Sequence, residues 1–206
     1  MSAIRERLTK LHRAGHRKTI TAISDERDFL GPDERTRPAA VLVAVTERDE
    51  GASPGPGILL IRRPTSMRKH PGQVAFPGGA IDPGETPIQA AIREAHEEIA
   101  LPPSRVHVIG TTDGYRSGSG FDITPVLATV PPDLPLHPNP AEADEWFEVP
   151  FDFLLDPANH EHKQAFVRGR NRHYIEMHWK GRRIWGVTAA ILDNLAHRLG
   201  LREDAR

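Results

Sequence analysis

Glu94, Glu97 and Glu98 fall within five residues of a 206-residue chain, and three carboxylates so close are suited to binding a hard divalent cation. At about 100° per residue they occupy an arc of roughly 100° on one side of a helix. Glu94 and Glu98 form a like-charged i,i+4 pair, which costs roughly 0.3 kcal/mol. All three lie toward the helix C-terminus, where the macrodipole disfavours anions. A solvated acidic face gains nothing from that arrangement, whereas a bound cation removes the repulsion. Oxygen-only ligation selects Mg²⁺ or Mn²⁺ over zinc. Arg93, four residues before Glu97, can orient one carboxylate but cannot neutralise three.

Upstream, Phe76-Pro77-Gly78-Gly79 and Asp82-Pro83-Gly84-Glu85 form a Gly/Pro-rich loop. Gly78 and Gly79 let backbone approach a metal or phosphate closely. Before the loop, Arg62, Arg63, Arg68 and Lys69 concentrate positive charge suited to phosphate. Other marked residues read less functionally. His160 and His162 lie in a polar loop and read as solvated in preference to a metal pair. Phe121 and Trp185 read as core in preference to a platform for adenine.

These residues need elements to position them. Thr86-Pro87-Ile88-Gln89 opens a helix over residues 86–100, with Thr86 as N-cap, Pro87 at the first helical position and Gln89 closing a capping box. Ile88, Ala91, Ile92, Ala95 and Ile99 make its apolar stripe. Ala39–Thr46 and Ile58–Ile61 read as a hairpin joined by a Gly/Pro-rich connection. Gln73–Phe76, Arg105–Thr112, Asp122–Val130 and Trp146–Val149 read as further strands. Tyr174–Trp179 and Arg183–Trp185 form a second hairpin around Lys180-Gly181. Pro131–Pro140, with five prolines, reads as a surface loop. Phe151–Leu155 is a helical turn and Gly186–Leu199 a closing helix, so the fold class is mixed α+β.

The bulk properties exclude several classes. With 27 basic against 28 acidic side chains the net charge is −1, so no global field draws the protein to nucleic acid or membrane. With no cysteine there is no disulfide framework, thiolate metal site or thiol nucleophile. No apolar stretch reaches transmembrane length. Ile4, Leu8 and Leu11 recur at helical spacing among basic residues and indicate a peripheral helix. Nearby Glu6, Asp25, Glu26 and Asp28 argue against a transit peptide, so a cytoplasmic location is expected.

Gly79, Glu85, Arg93, Glu94, Glu97, Glu98 and Leu101 resemble the Nudix box, Gly-x5-Glu-x7-Arg-Glu-U-x-Glu-Glu-x-Gly-U with U aliphatic. The one departure is Ala100 in place of glycine. The resemblance implies a Nudix fold, a mixed sheet sandwiched between helices, here spanning 38–200 with a helical extension at 1–37 and a polar tail at 201–206. It also implies that Glu94, Glu97 and Glu98, with the Gly79 carbonyl, bind Mg²⁺ or Mn²⁺, and that Arg93 and Glu85 hold the carboxylates. Metal-activated water would attack phosphorus, its proton taken by Glu94, Glu98, or a loop carboxylate such as Glu142 or Glu145.

The run from Leu59 to Gly79, with its Arg62-Arg63 start and its Gln73-Val74-Ala75-Phe76-Pro77-Gly78-Gly79 end, is similar to the coenzyme A pyrophosphatase branch. Phe121–Val126, Asn139–Glu142 and Ile184–Ala189 look like that branch too. That resemblance implies hydrolysis of coenzyme A to 3',5'-ADP and 4'-phosphopantetheine, with Arg62, Arg63, Arg68, Lys69 and Gly78 meeting the substrate. Competing readings are a Nudix hydrolase for ADP-ribose, NADH or an oxidised nucleoside triphosphate, and a non-catalytic nucleotide-binding module. A homodimer is common among such proteins.

Overall fold

The computed structural model describes residues 1–19, 25–27, 35–67, 69–167 and 169–201. Parts of the extension, Arg68 and all but Leu201 of the polar tail lie outside the described residues.

A mixed sheet forms the middle layer. Strand β1 (Arg37–Thr46) runs parallel to β7 (Phe121–Val130) along its whole length. Its other edge is shared by β4 (Gly78–Ala80) at the start and β2 (Gly57–Arg62) near the end. The expected hairpin of β1 and β2 therefore exists, but the chief partner of β1 is distant in sequence. Beyond β2 lie β8 (Glu145–Pro150) on one edge and the short β3 (Val74–Ala75) on the other. Strands β5 (His107–Thr111) and β6 (Tyr115–Ser117) share the far edge of β7. A separate antiparallel sheet contains β9 (Glu161–Val167), β10 (Arg170–Trp179) and β11 (Arg182–Trp185).

Two apolar cores follow from the period-2 alternation of the central strands. Ala40, Leu42 and Ala44 of β1, Leu59 and Ile61 of β2, and Val126, Ala128 and Val130 of β7 face helix α2 (Pro87–Ile99). Alanines at 90, 91 and 95 meet the small strand residues and let the helix approach closely. On the opposite face Val43, Val45, Ile58, Leu60 and Leu127 pack with α1 (Ala3–Gly15), α3 (Phe151–Leu155), α4 (Val187–Arg198) and the second sheet. The result is the expected sandwich of a mixed sheet between helices. Helix α1 buries Ile4 and Leu8 in that second core.

Three expectations need correction. Residues 161–167 form β9, because their backbone pairs with β10 although their side chains alternate poorly. His160 is buried, its Nδ1 2.9 Å from Asp193 Oδ1 and its Nε2 2.8 Å from the Leu154 carbonyl. Only His162 is exposed. The proline-rich loop is irregular as expected, yet Leu136 within it is buried against the α2 face.

Candidate active site

Helix α2 starts where its capping residues dictate. The Thr86 hydroxyl accepts from the Gln89 N–H at 3.3 Å, and the Gln89 side chain accepts from the Thr86 N–H at 2.9 Å. It ends at Ala100 in the left-handed conformation, φ 54°, which glycine adopts without steric cost. The departure from the Nudix box is thus a strained cap at its expected place.

Between these ends the three glutamates occupy three environments. Glu98 is 4% exposed, and its Oε2 accepts from the Gly78 N–H at 2.9 Å. Burial pushes its carboxyl up to about 8, with the neighbouring charges of Glu94 and Glu142 adding to the rise. The Gly78 hydrogen bond and the charge of Arg63 pull the other way. Glu94 is partly buried and also raised, first by burial and then by Glu97 and Glu142, against the pull of Arg93. Glu97 is 47% exposed. The expectation of one shared acidic face therefore resolves into a gradient from core to solvent.

Arg93 fastens the set. Its Nε and Nη2 donate to Glu85 at 2.8 and 3.0 Å, its Nη1 donates to Glu94 and Glu97 at 2.9 Å each, and Nη2 also reaches the Ala80 carbonyl at 3.1 Å. The paired guanidinium holds Glu85 below the ordinary carboxylate range, helped by the Asp82 N–H. In return Glu85, then Glu94 and Glu97, raise Arg93. Gly79 supplies clearance, since a Cβ there would lie 2.5 Å from the Glu94 carboxyl carbon. Gly78, at φ 157°, is extended, and a Cβ there would collide with the Ala40 carbonyl.

Glu142 arrives on a loop tied to the same helix. The His137 and Asn139 N–H groups donate to the Ile99 and Glu98 carbonyls at 3.1 and 2.8 Å, and the Glu142 N–H donates to the Asn139 carbonyl at 2.9 Å. Buried Ala143 then plugs the loop into the α2 core.

The basic residues are divided by strand alternation. Arg63 directly follows β2, next in the alternation that turns Leu59 and Ile61 toward α2, and its charge acts on Glu98. Its Nη2 contacts Met67 Sδ at 3.1 Å, while its buried Nε has no hydrogen-bond partner among the described residues. Arg62 points to the opposite side, beside Glu145 at 3.3 Å and Asp144 at 3.9 Å. Lys69 is exposed. Sequence reasoning missed Asp144, whose N–H donates to the Arg62 carbonyl at 2.8 Å and whose Oδ2 accepts from the Thr65 N–H at 3.4 Å. No motif marks such a residue, because its role is to bond backbone.

Phe121 and Trp185 are partly buried, Phe121 against the core, where the Arg37 guanidinium lies 4.7 Å from its ring centre.

Among the described residues, no three carboxylate or imidazole groups converge in the pose of a metal cluster. The donor chemistry nevertheless fits a hard cation. Glu98 and Glu94 are both held where ionisation is disfavoured, Glu142 adds to the repulsion, and Gly79 leaves its backbone open beside Glu94. Arg93 already bonds Glu94 and Glu97, and a further positive charge would favour the ionised forms of Glu94 and Glu98.

Glu98 and Glu94, set against Gly78 and Gly79 on a mixed sheet between helices, are oxygen donors suited to a hard cation beside a phosphate. Comparison with known proteins gives the family. Residues 36–168 match the NUDIX domain, and the chain belongs to the Nudix hydrolase family. It is 42% identical over 168 residues to NudL of Escherichia fergusonii, an uncharacterized Nudix hydrolase, covering 81% of this chain and 84% of that one. NudL of Cronobacter sakazakii is 43% identical over 166 residues, covering 80% and 83%. Among solved structures, the Nudix hydrolase RenU of M. smegmatis superposes with a TM-score of 0.54 at 25% identity, covering 84% of this chain and 90% of that one. Among the described residues, no helix is long and apolar enough to cross a membrane.

Proposed function

We propose that the protein hydrolyses the diphosphate of coenzyme A or its derivatives, with Mg²⁺ or Mn²⁺, to 3',5'-ADP and 4'-phosphopantetheine or its acyl form. The observation that carries this reading is Arg63, a cation on the same side of the sheet as Glu98 and close enough to shift its ionisation. In sequence it is followed by the further cations Arg68 and Lys69, and Lys69 is exposed. A substrate with a 3'-phosphate besides its diphosphate uses such a surplus.

Glu94, Glu97 and Glu98, with the Gly79 carbonyl, are the residues that would hold the cation. When bound, it activates water for attack on phosphorus and neutralises charge on the diphosphate. Arg93, itself held by Glu85, fixes the directions of Glu94 and Glu97. Glu142 joins Glu94 and Glu98 as the carboxylates from which the proton acceptor is drawn, since its loop is bonded to the Glu98 main chain. Gly78 anchors Glu98 through its N–H and adds no side chain where the diphosphate would lie.

The test is a substrate panel with metal titration. Mg²⁺-dependent release of 3',5'-ADP from coenzyme A is expected, and Glu98→Gln should lower kcat by about 100-fold or more. Equal or better turnover of ADP-ribose would overturn the coenzyme A assignment. Tight nucleotide binding without turnover of any substrate would identify a regulatory module instead.

A further inference from the structure

The turn between β2 and β3 is framed at its base by the corner where β11 meets α4. On the β2 side, Glu145 accepts from Arg182 of β11, Nε at 3.2 Å and Nη2 at 2.9 Å, and lies 3.3 Å from Arg62 Nε. Glu145 and Arg62 are directly opposite in the β2–β8 register, so both side chains project to the side away from α2. Arg182 also lies over the Phe147 ring, 4.4 Å from its centre, which fixes the guanidinium in place. The Arg182 hydrogen bonds hold Glu145 below the ordinary carboxylate range, so it is charged where it bridges the two arginines. On the β3 side, the buried Thr188 hydroxyl, in the first turn of α4, donates to the Val74 carbonyl at 3.0 Å. Between these two ties the Arg63 N–H donates to the Gln73 carbonyl at 2.9 Å and closes the turn.

We propose that Glu145 and Thr188 are positioning residues that fix the base of the turn from which Arg63 acts on Glu98, and so set the turn's affinity for the phosphates of the substrate. Neither touches the reacting atoms. Glu145 points away from Glu94 and Glu98, which excludes it as the proton acceptor for the attacking water. Within the turn the Met67 and Gln73 N–H groups donate to the Pro64 and His70 carbonyls at 3.2 and 3.4 Å, and its two ends are tied to β2 and β3, so those ties bear directly on where Arg63 lies. A cationic loop displaced by about 1 Å loses much of a charge-assisted contact with phosphate.

The proposal rests on the coenzyme A reading for its kinetic test, and a second measurement separates the two. Glu145→Gln and Thr188→Val should each raise KM for coenzyme A by about three- to tenfold with kcat within about twofold. The KM for coenzyme A lacking its 3'-phosphate should rise less. Thr188→Ser, which keeps the hydroxyl, should restore KM. In native-state hydrogen exchange, amides of residues 63–73 should exchange faster in Thr188→Val than in wild type while those of α2 do not. If wild type does not hydrolyse coenzyme A, the substrate reading fails and hydrogen exchange still decides the clamp. Unchanged KM and unchanged exchange in both variants would overturn it. So would a fall in kcat alone in Glu145→Gln, which would assign that carboxylate to the chemistry. If Thr188→Val does not fold, Glu145→Gln carries the same tests.

Discussion

Replacing Glu98 by glutamine removes a carboxylate whose ionisation the fold opposes, and the stability of the metal-free protein should report this directly. In the unfolded chain this group titrates near 4.5, and burial pushes it up to about 8 in the folded protein. Between those values the folded state holds a proton that the unfolded state has released. Stability therefore falls as pH rises through the window, with a slope of about 1.4 kcal/mol per pH unit for one proton. Across the whole window the ceiling is about 5 kcal/mol, on the order of a third or more of a domain's stability. Glu94 is raised as well and contributes with the same sign, so the difference between wild type and Glu98→Gln isolates Glu98. The assay is urea unfolding in EDTA at several pH values from 4.5 to 8.5, repeated with Mg²⁺. Wild type should be less stable than Glu98→Gln at the alkaline end and converge with it at the acid end. Mg²⁺ should stabilise wild type more at pH 8 than at pH 5, since cation and proton compete for the same oxygens. A stability difference that stays flat across the window, or widens toward acid, would refute the reasoning.

The close approach at Gly79 makes a second prediction. Gly79→Ala places a methyl group 2.5 Å from the Glu94 carboxyl carbon, so Mg²⁺-dependent turnover should fall by about tenfold or more, with stability lowered by about 1–3 kcal/mol. Steady-state kinetics and urea unfolding check both. Ala100→Gly relieves the left-handed cap at φ 54° and should stabilise by about 0.5–1 kcal/mol. Thermal unfolding in EDTA reads it, and a lower Tm would contradict the strain. Arg93→Lys keeps one charge but cannot span Glu85, Glu94 and Glu97 at once. Its kcat should drop by about tenfold or more, and a variant with wild-type kcat would show that the clamp is dispensable.

The elements that carry the site were legible where local chemistry alone determines them. Thr86, Pro87 and Gln89 placed the start of α2, and Ala100 marked its end. Long-range pairing was not legible. Nothing in the sequence of β1 names β7 as its parallel partner, and the short β4 and β6 strands carry no alternation to detect. Strand β9 escaped because Glu161, His162, Lys163 and Gln164 follow one another without an apolar period. Its extended form comes from hydrogen bonds to β10 rather than from a buried face. His160 was misread for a related reason. Polar neighbours in sequence say little about a residue whose partners, Asp193 and the Leu154 carbonyl, are supplied by other elements.

The division of the adjacent arginines has the largest consequence for function. In sequence, Arg62 and Arg63 formed one basic patch. Consecutive side chains along an extended chain alternate in direction, and of the two it is Arg63 whose charge acts on Glu98, while Arg62 enters an ion-paired knot with Glu145 and Asp144. That knot lies under the second sheet, and through Arg182 it links β11 to the start of the cationic turn. One residue of the pair thus supplies charge to the site, and its neighbour connects the strand to the elements that hold the turn. Removing Arg63 should therefore change the electrostatics felt by Glu98 directly, whereas removing Arg62 acts on the site only through the position of the turn.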